Sequence, residues 1–239
     1  CRAGLTVLAE LERRDLLSHV QRMGALLQEL LAELVAATSL LTATLKLDGD
    51  IAVQIQGDGP VRFAAVNGTD LQQFRGVVRM QAEISGDSFR DLIGEGYLLV
   101  TITPKQGERY QGIIPLSGDS LTSTLEAYFA QSEQLPTRLY LYTDLQAAHC
   151  RAAGFMLQVL PVDQQKAKAD FEDLVMLSDT LTKDEIFSLP AEELLWMDPV
   201  PAGTALSAEQ AARLAVMLPA PKFFERRPTS PYLNRRTAT

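Results

Sequence analysis

Histidine and cysteine, which most often serve as nucleophiles, bases and metal ligands, are scarce in this chain of 239 residues. It contains His19, His149, Cys1 and Cys150 and no others of either type. His149 and Cys150 are adjacent, so they are the one pair from which a thiol-based enzyme could be built. However, neighbouring strand side chains face opposite ways, and a reactive thiol needs an electropositive site. The favoured interpretation is an incidental loop pair in a protein that is not an enzyme, with a catalytic Cys150 as the weaker alternative.

Acidic and glycine-rich turns are the next candidates for a binding site. Asp48, Asp50 and Asp58 carry carboxylates of the kind that bind Ca²⁺, but their spacing is not that of an EF-hand loop. The segment 57–60 lacks the lysine and hydroxyl residue of a phosphate-binding loop and joins two predicted strands. Asn67-Gly68-Thr69 matches a glycosylation sequon but is better explained as a turn. We therefore expect no metal site and no cofactor in this chain.

Composition narrows the class of protein further. The net charge of −8 argues against a general nucleic-acid binder, although the last part of the chain is basic. Two cysteines are too few for a disulfide scaffold and fit a reducing compartment, which predicts a cytoplasmic protein. Polar residues interrupt the most apolar stretch, Leu26–Leu45, so we expect no membrane association.

Hydrophobic periodicity predicts an α+β fold, with a sheet-rich core packed around a central apolar helix. Leu27, Leu30, Leu34 and Leu41 recur at helical spacing in a segment that is apolar nearly all round. After the turn at 47–50, the residues alternate as in a half-buried strand. We also expect a helix over Leu5–Met23. Further predicted strands cover Ile51–Gln56, Val61–Val66, Phe74–Ile84 (with a bulge at Gly76), Tyr97–Thr103, Glu108–Pro115, Thr137–Tyr142 and Phe155–Leu160.

The composition shifts at residue 162, which divides the chain into three regions. Residues 1–161 form the predicted core domain, 162–196 a helical linker and 197–239 a Pro-rich basic tail. In the linker, Gln164–Leu177 is amphipathic, and Thr182 with Glu185 forms a capping box for the next helix. Trp196 is better explained as a core anchor than as a partner contact.

Several long segments identify a family resemblance. They are LLAELVAATSLLTATLKLDGDIAVQIQGDGPVRFAAVNG (30–68), GYLLVTITPKQGERYQGIIPL (96–116), YFAQSEQLPTRLYL (128–141) and LPAEELLW (189–196). In order and spacing they closely resemble the redox-regulated 33 kDa heat-shock chaperonin family, and the likeness covers most of residues 26–196.

The resemblance implies an ATP-independent cytoplasmic holdase that binds unfolding client proteins under oxidative or heat stress and dimerises when activated. In that family, oxidation of four zinc-binding cysteines (CxC…CxxC) releases the metal and unfolds the linker. This sequence contains no CxC or CxxC, and Cys1 and Cys150 match no zinc ligand, so no ligand is assigned. The chain is thus either shortened or a divergent member without the thiol switch.

The leading hypothesis is a holdase whose apolar sheet face is covered by the linker helices. The candidate residues for contacts with the linker or with clients are Ile51, Val53, Ile55, Phe171, Leu174, Leu177 and Trp196. The alternative is a structural or adaptor module that docks a partner through the tail, with Lys222, Arg226, Arg227, Arg235 and Arg236 as its cationic residues.

Overall fold

The computed structural model describes residues 16–44, 48–146, 150–159 and 164–190. Predictions about the start of the chain, Trp196 and the basic tail lie outside these ranges. The described elements, in chain order, are α1 (Leu16–Thr44), β1 (Gly49–Gly57), β2 (Val61–Thr69), β3 (Phe74–Met80), α2 (Phe89–Ile93), β4 (Gly96–Pro104), β5 (Tyr110–Pro115), α3 (Leu121–Tyr128) with a π turn (Phe129–Glu133), β6 (Thr137–Asp144), β7 (Arg151–Gln158), α4 (Gln164–Ser178) and α5 (Lys183–Ser188).

Helix α1 is the central apolar helix that the leucine pattern predicted. It is a continuous helix of 29 residues, so the end of the predicted helix Leu5–Met23 belongs to it. Leu34 and Ala37 are fully buried. The buried hydroxyls of Thr38 and Thr42 donate to the carbonyls of Leu34 and Thr38, both at 2.7 Å. These bonds satisfy the polar atoms that would otherwise be costly to bury.

By length and composition, the span Ser18–Ala43 of α1 could also cross a membrane. Half of its most apolar window is buried inside the fold, and core helices meet the same criterion. The packing of α1 against the sheets accounts for its apolar character.

Five antiparallel strands form the larger sheet, in the order β3-β2-β1-β4-β5. The segment 57–60, called here the GDGP turn, connects β1 and β2 as predicted, and a turn at Pro104–Gly107 connects β4 and β5. Ile51, Val53 and Ile55 of the central strand β1 point to the face covered by α1 and are between 0 and 3 % exposed. This confirms the predicted half-buried strand.

Strands β6 and β7 pair as a separate two-stranded sheet. Leu139 and Met156 from one face of this sheet join the core that α1 shares with the larger sheet. Helix α1 therefore packs between the two sheets, which confirms the mixed α and β architecture.

Two local predictions, a turn and a bulge, were wrong because tertiary packing outweighed the local signal. Asn67-Gly68 lies inside β2, where a Cβ on Gly68 would meet the Phe74 ring at 2.7 Å. The turn follows instead, with Gln72 in the left-handed region (φ 56°). Gly76 pairs in register with Val66 and approaches α1, and the irregularity of the ladder lies at 61–63 of β2.

Two strand boundaries also differ from their predictions. Strand β3 ends at Met80 rather than continuing to Ile84. Strand β7 begins at Arg151, before the predicted start at Phe155, because Asp144 and Arg151 are paired across the hairpin. The predicted capping box of Thr182 and Glu185 is confirmed, and Ser88 forms a second capping box with Asp91 at the start of α2.

The GDGP turn is fixed against the segment that follows α2. The Asp58 carboxylate accepts a hydrogen bond from the Glu95 amide at 2.8 Å, and the Gly59 amide donates to the Ile93 carbonyl at 2.8 Å. Both contacts need close backbone approach. A Cβ on Gly57 would lie 2.0 Å from the Ile93 carbonyl oxygen, so only glycine fits. This turn therefore has a structural role and is not a phosphate-binding loop.

We predict that Gly57→Ala destabilises the protein by about 1–3 kcal/mol, because backbone must move to admit the methyl group. Gly24→Ala is the matched control, since nothing lies within 4 Å of the added Cβ in α1. Alanine there should stabilise the helix by about 0.5–1 kcal/mol. Urea unfolding measures both changes, and equal effects of the two substitutions would contradict the proposed close approach.

Burial of Glu33 in α1 raises the pKa of its carboxyl group from 4.5 to about 7. The charge of Glu29 makes a smaller contribution in the same direction. The folded state then holds a proton that the unfolded state releases above about pH 4.5. Stability should therefore fall as the pH rises from about 4.5 to 7 and stay lower above that range. Glu33→Gln should remove this slope and raise stability at pH 8 by roughly 1–3 kcal/mol, allowing for partial exposure.

The exposed Glu83 provides the control, because Glu83→Gln makes the same substitution at a surface position. Thermal unfolding at pH 5, 6, 7 and 8 makes the comparison. A profile for Glu33→Gln that parallels the parent protein would show that Glu33 is ionised without cost.

Candidate interaction surface

Helices α4 and α5 cover the face of the β6–β7 sheet that points away from α1. Alternation in β7 directs Ala153, Phe155 and Leu157 to this side, and β6 adds Tyr140 and Tyr142. We call these five side chains the covered face. The helices and the turn between them contribute Phe171, Leu174, Val175, Leu181, Ile186, Phe187 and Leu189. The result is a second apolar cluster, distinct from the core around α1.

An aromatic pair lies within the covered face. Tyr140 and Phe155 are cross-strand partners, and their rings stack with centroids 4.4 Å apart and an interplanar angle of 11°. Such pairs contribute about 0.5–1.5 kcal/mol beyond their buried area. The stack makes this face rigid and gives the helices a flat apolar platform.

A hydrogen bond fastens the end of α4 to this platform. The Tyr140 hydroxyl donates to the Asp179 carboxylate at 2.8 Å. The Tyr142 hydroxyl lies 3.4 Å from the Leu181 carbonyl oxygen in the turn before α5. Burial raises the pKa of Tyr140, and the hydrogen bond to Asp179 raises it further. Tyr140 therefore remains a neutral donor at physiological pH, and its bond to a charged acceptor is of the stronger kind.

Helix α5 has its own contact with the sheet. The Arg151 guanidinium lies 4.7 Å from the centre of the Phe187 ring and also pairs with Asp144 at 2.6 Å. A partly exposed cation–π contact contributes about 0.5–1 kcal/mol. The ion pair with Asp144 thus holds the Arg151 guanidinium over the Phe187 ring of α5.

Both helices depend on the covered face for their stability. Helix α4 places Phe171, Leu174 and Val175 against the sheet, whereas Glu172 and Met176 face solvent. Helix α5 has six residues, fewer than an isolated helix needs to persist in water. Elements with few buried apolar contacts open at a lower free energy than the core. The covered face is therefore an apolar surface that would become exposed if α4 and α5 left the sheet.

The structure divides the predicted contact residues between two clusters. Ile51, Val53 and Ile55 lie in the core beneath α1, and Phe171 and Leu174 pack on the β6–β7 sheet. Leu177 is half-buried on α4 outside the second cluster, and Trp196 lies outside the described residues. The linker helices do not cover the apolar side of β1, because α1 already occupies it.

Sequence analysis missed Tyr140, Tyr142 and Phe155 as members of the surface. The signal was present in the alternation of Leu139 and Leu141 with Tyr140 and Tyr142. Both sides of this strand are apolar enough to be buried, which indicates a strand covered on both faces.

Groups suited to metal binding do not converge in the described ranges. No three His, Cys, Asp or Glu side chains there are placed to share a metal ion. Cys150 is half-buried and unbridged, and burial raises the pKa of its thiol, with Asp144 adding to the effect. A raised pKa keeps the thiol protonated and disfavours a nucleophilic role. A single thiol also cannot supply a four-sulfur zinc site.

Comparisons with known proteins agree in the family they indicate. The family described as Hsp33 protein matches residues 9–198. The 33 kDa chaperonin of Pseudoalteromonas translucida is 54 % identical over 166 residues, covering 70 % of this chain and 59 % of that protein. That of Pectobacterium atrosepticum is 49 % identical over 196 residues, covering 82 % and 67 %. The chain therefore spans about three-fifths to two-thirds of the length of these relatives.

A crystal structure supports the fold independently. The 33 kDa chaperonin (heat shock protein 33 homolog) of Thermotoga maritima superimposes with a TM-score of 0.62 at 19 % identity. The match covers 80 % of this chain and 65 % of that one.

We predict that Tyr140→Phe loosens α4 while leaving the core intact. The ring still stacks on Phe155, but the bond to Asp179 is lost, which should lower the free energy of local opening by about 1 kcal/mol. Hydrogen exchange of the α4 amides should accelerate about fivefold. Tyr97→Phe is the control, because the Tyr97 hydroxyl bonds Gln56 on the larger sheet. Similar exchange rates in both variants would refute a fastening role for Tyr140.

Proposed function

Because this chain belongs to the Hsp33 protein family, we propose that it is a chaperone of the holdase type, which binds unfolding proteins without ATP. It would act in the cytoplasm under heat or oxidative stress, with unfolded client proteins as its partners and a homodimer as its active form. The observation that carries the proposal is the covered face, an apolar platform closed by two short helices.

The covered face has the properties that binding of unfolded chains requires. It is apolar and built on a paired sheet, so it keeps its shape when the helices leave. Exposed apolar patches of this kind mark surfaces for protein interaction. In the closed state the aromatic side chains are half-buried or buried and unavailable. Opening of α4 and α5 would therefore expose an apolar surface to which unfolded chains can bind.

A few contacts among the described residues hold this cover closed. The closed state depends on Tyr140, Arg151 and the apolar side of α4. Heating weakens these few contacts before it unfolds the core, which provides a direct route from stress to activity.

Leu174→Asp tests the proposal by placing a charge under α4. We expect α4 to detach and the variant to suppress aggregation of a heat-unfolded client, followed by light scattering without ATP, at a several-fold lower molar ratio than the parent protein. Met176→Asp is the matched control on the same helix, because Met176 is 68 % exposed, and it should behave like the parent.

Circular dichroism and thermal unfolding establish that the core of each variant remains folded. If neither the parent protein nor Leu174→Asp suppresses aggregation, the holdase proposal is wrong. If both aspartate variants gain activity equally, added charge and not release of α4 is the cause.

A further inference from the structure

Strand β3 is an edge strand whose outer side is left open by the other described elements. It pairs with β2 on one side only and also packs against α1. Each of its seven residues is exposed or half-buried, with Val77 at 43 % exposure. An edge strand of this length presents a row of free backbone donors and acceptors to any extended chain that approaches.

The side chains of β3 divide into two faces with different chemistry. Phe74 and Val78 pack against the core, and Gly76 approaches Leu31 of α1. The two-residue period of a strand therefore directs Arg75, Val77 and Arg79 to the face away from α1. On that face a valine lies between two guanidinium groups.

Both arginines lack an acidic partner among the described residues. None of the ion pairs in that part of the chain includes Arg75 or Arg79. The residues opposite them on β2 are Asn67 and Phe63, and the Arg79 guanidinium lies 5.9 Å from the centre of the Phe63 ring. The described residues thus leave the charge of this edge without an ion pair, whereas the net charge of the whole protein is −8.

A second copy of the same strand would be a poor occupant. Antiparallel pairing of two β3 strands centred on Val77 would place Arg75 opposite Arg79 at both ends. Like charges directly opposite in a sheet are destabilising. Carboxylates at the same two positions would instead form ion pairs, because Arg prefers the planar geometry of a carboxylate.

We propose that β3 binds an extended acidic segment of another protein by strand addition, with the pattern acid-x-apolar-x-acid. The backbone of the segment extends the five-stranded sheet. Its acidic side chains pair with Arg75 and Arg79, and its apolar side chain packs beside Val77. This surface is separate from the covered face and requires no movement of α4. It therefore adds a binding site for already extended segments to the proposed function.

The test uses a fluorescein-labelled peptide, Thr-Glu-Thr-Val-Thr-Glu-Thr, and fluorescence anisotropy with the full chain. We expect saturable binding that weakens about tenfold in the double variant Arg75→Glu/Arg79→Glu. Arg109→Glu is the control, because Arg109 is exposed, lies on the β4–β5 turn and forms no described ion pair. It should bind the peptide within twofold of the parent protein.

Two further peptides separate strand addition from simple charge attraction. A peptide with lysine in place of both glutamates should not bind. A peptide N-methylated at alternate residues keeps its charge but loses backbone donors, and it should bind at least tenfold more weakly. Binding of the acidic peptide should also slow hydrogen exchange in residues 74–80.

Three results would overturn the proposal. Equal weakening by Arg109→Glu would mean that overall charge drives binding. Unchanged affinity of the N-methylated peptide would exclude strand addition. Absence of binding by the acidic peptide would mean that the arginines only protect the edge from aggregation. Each of these results is independent of aggregation suppression, so this proposal and the holdase proposal can fail separately.

Discussion

The apolar surface of α1 is removed from water only when both sheets pack against it. Leu34, Ala37 and Leu40 are almost completely buried, and the five-stranded sheet alone could not surround a helix that is apolar nearly all round. The β6–β7 sheet closes the remaining side through Leu139 and Met156. At about 25 cal/mol per Å² of apolar surface, burial of this helix is a dominant contribution to the stability of the fold. The positions of both sheets follow from it.

Once α1 is enclosed, the β6–β7 sheet has one face left to cover. That face is aromatic, and the short helices α4 and α5 close it with few polar contacts. The protein therefore combines a stable core with two helices of lower local stability. These helices cover a sheet face whose shape is maintained by the core. Because of this difference in local stability, the cover can open at a lower free energy than the core.

The open edge of the larger sheet is protected by charge and not by a covering helix. Strand β3 is not covered by a described element, and its two outward arginines make pairing with an identical strand unfavourable. The same charges favour acidic partners. The two sheets thus differ in how their open surfaces are protected, one by charge at its edge and the other by helices on its face.

Much of the fold could be predicted from the sequence, because its signals are local. The leucine spacing of α1, the alternation around Val53, the GDGP turn and the caps at Ser88 and Thr182 each depend on neighbours within a few residues. The local signals failed where distant segments decide the outcome. Asn67-Gly68 has the composition of a turn, but it lies inside a strand. Glycine occupies position 68 because Phe74 and Thr38 leave no room for a side chain, and not because the chain turns there.

The sequence by itself determined the family, the α+β class, the central helix and the amphipathic character of residues 164–190. Only the tertiary structure decided which surface those helices cover. Strand β1 presents alternating apolar residues and strand β7 a continuous apolar run, and neither pattern distinguishes a face buried by α1 from one buried by α4. The choice depends on which helix reaches which sheet, and that is set by long-range packing and not by local pattern.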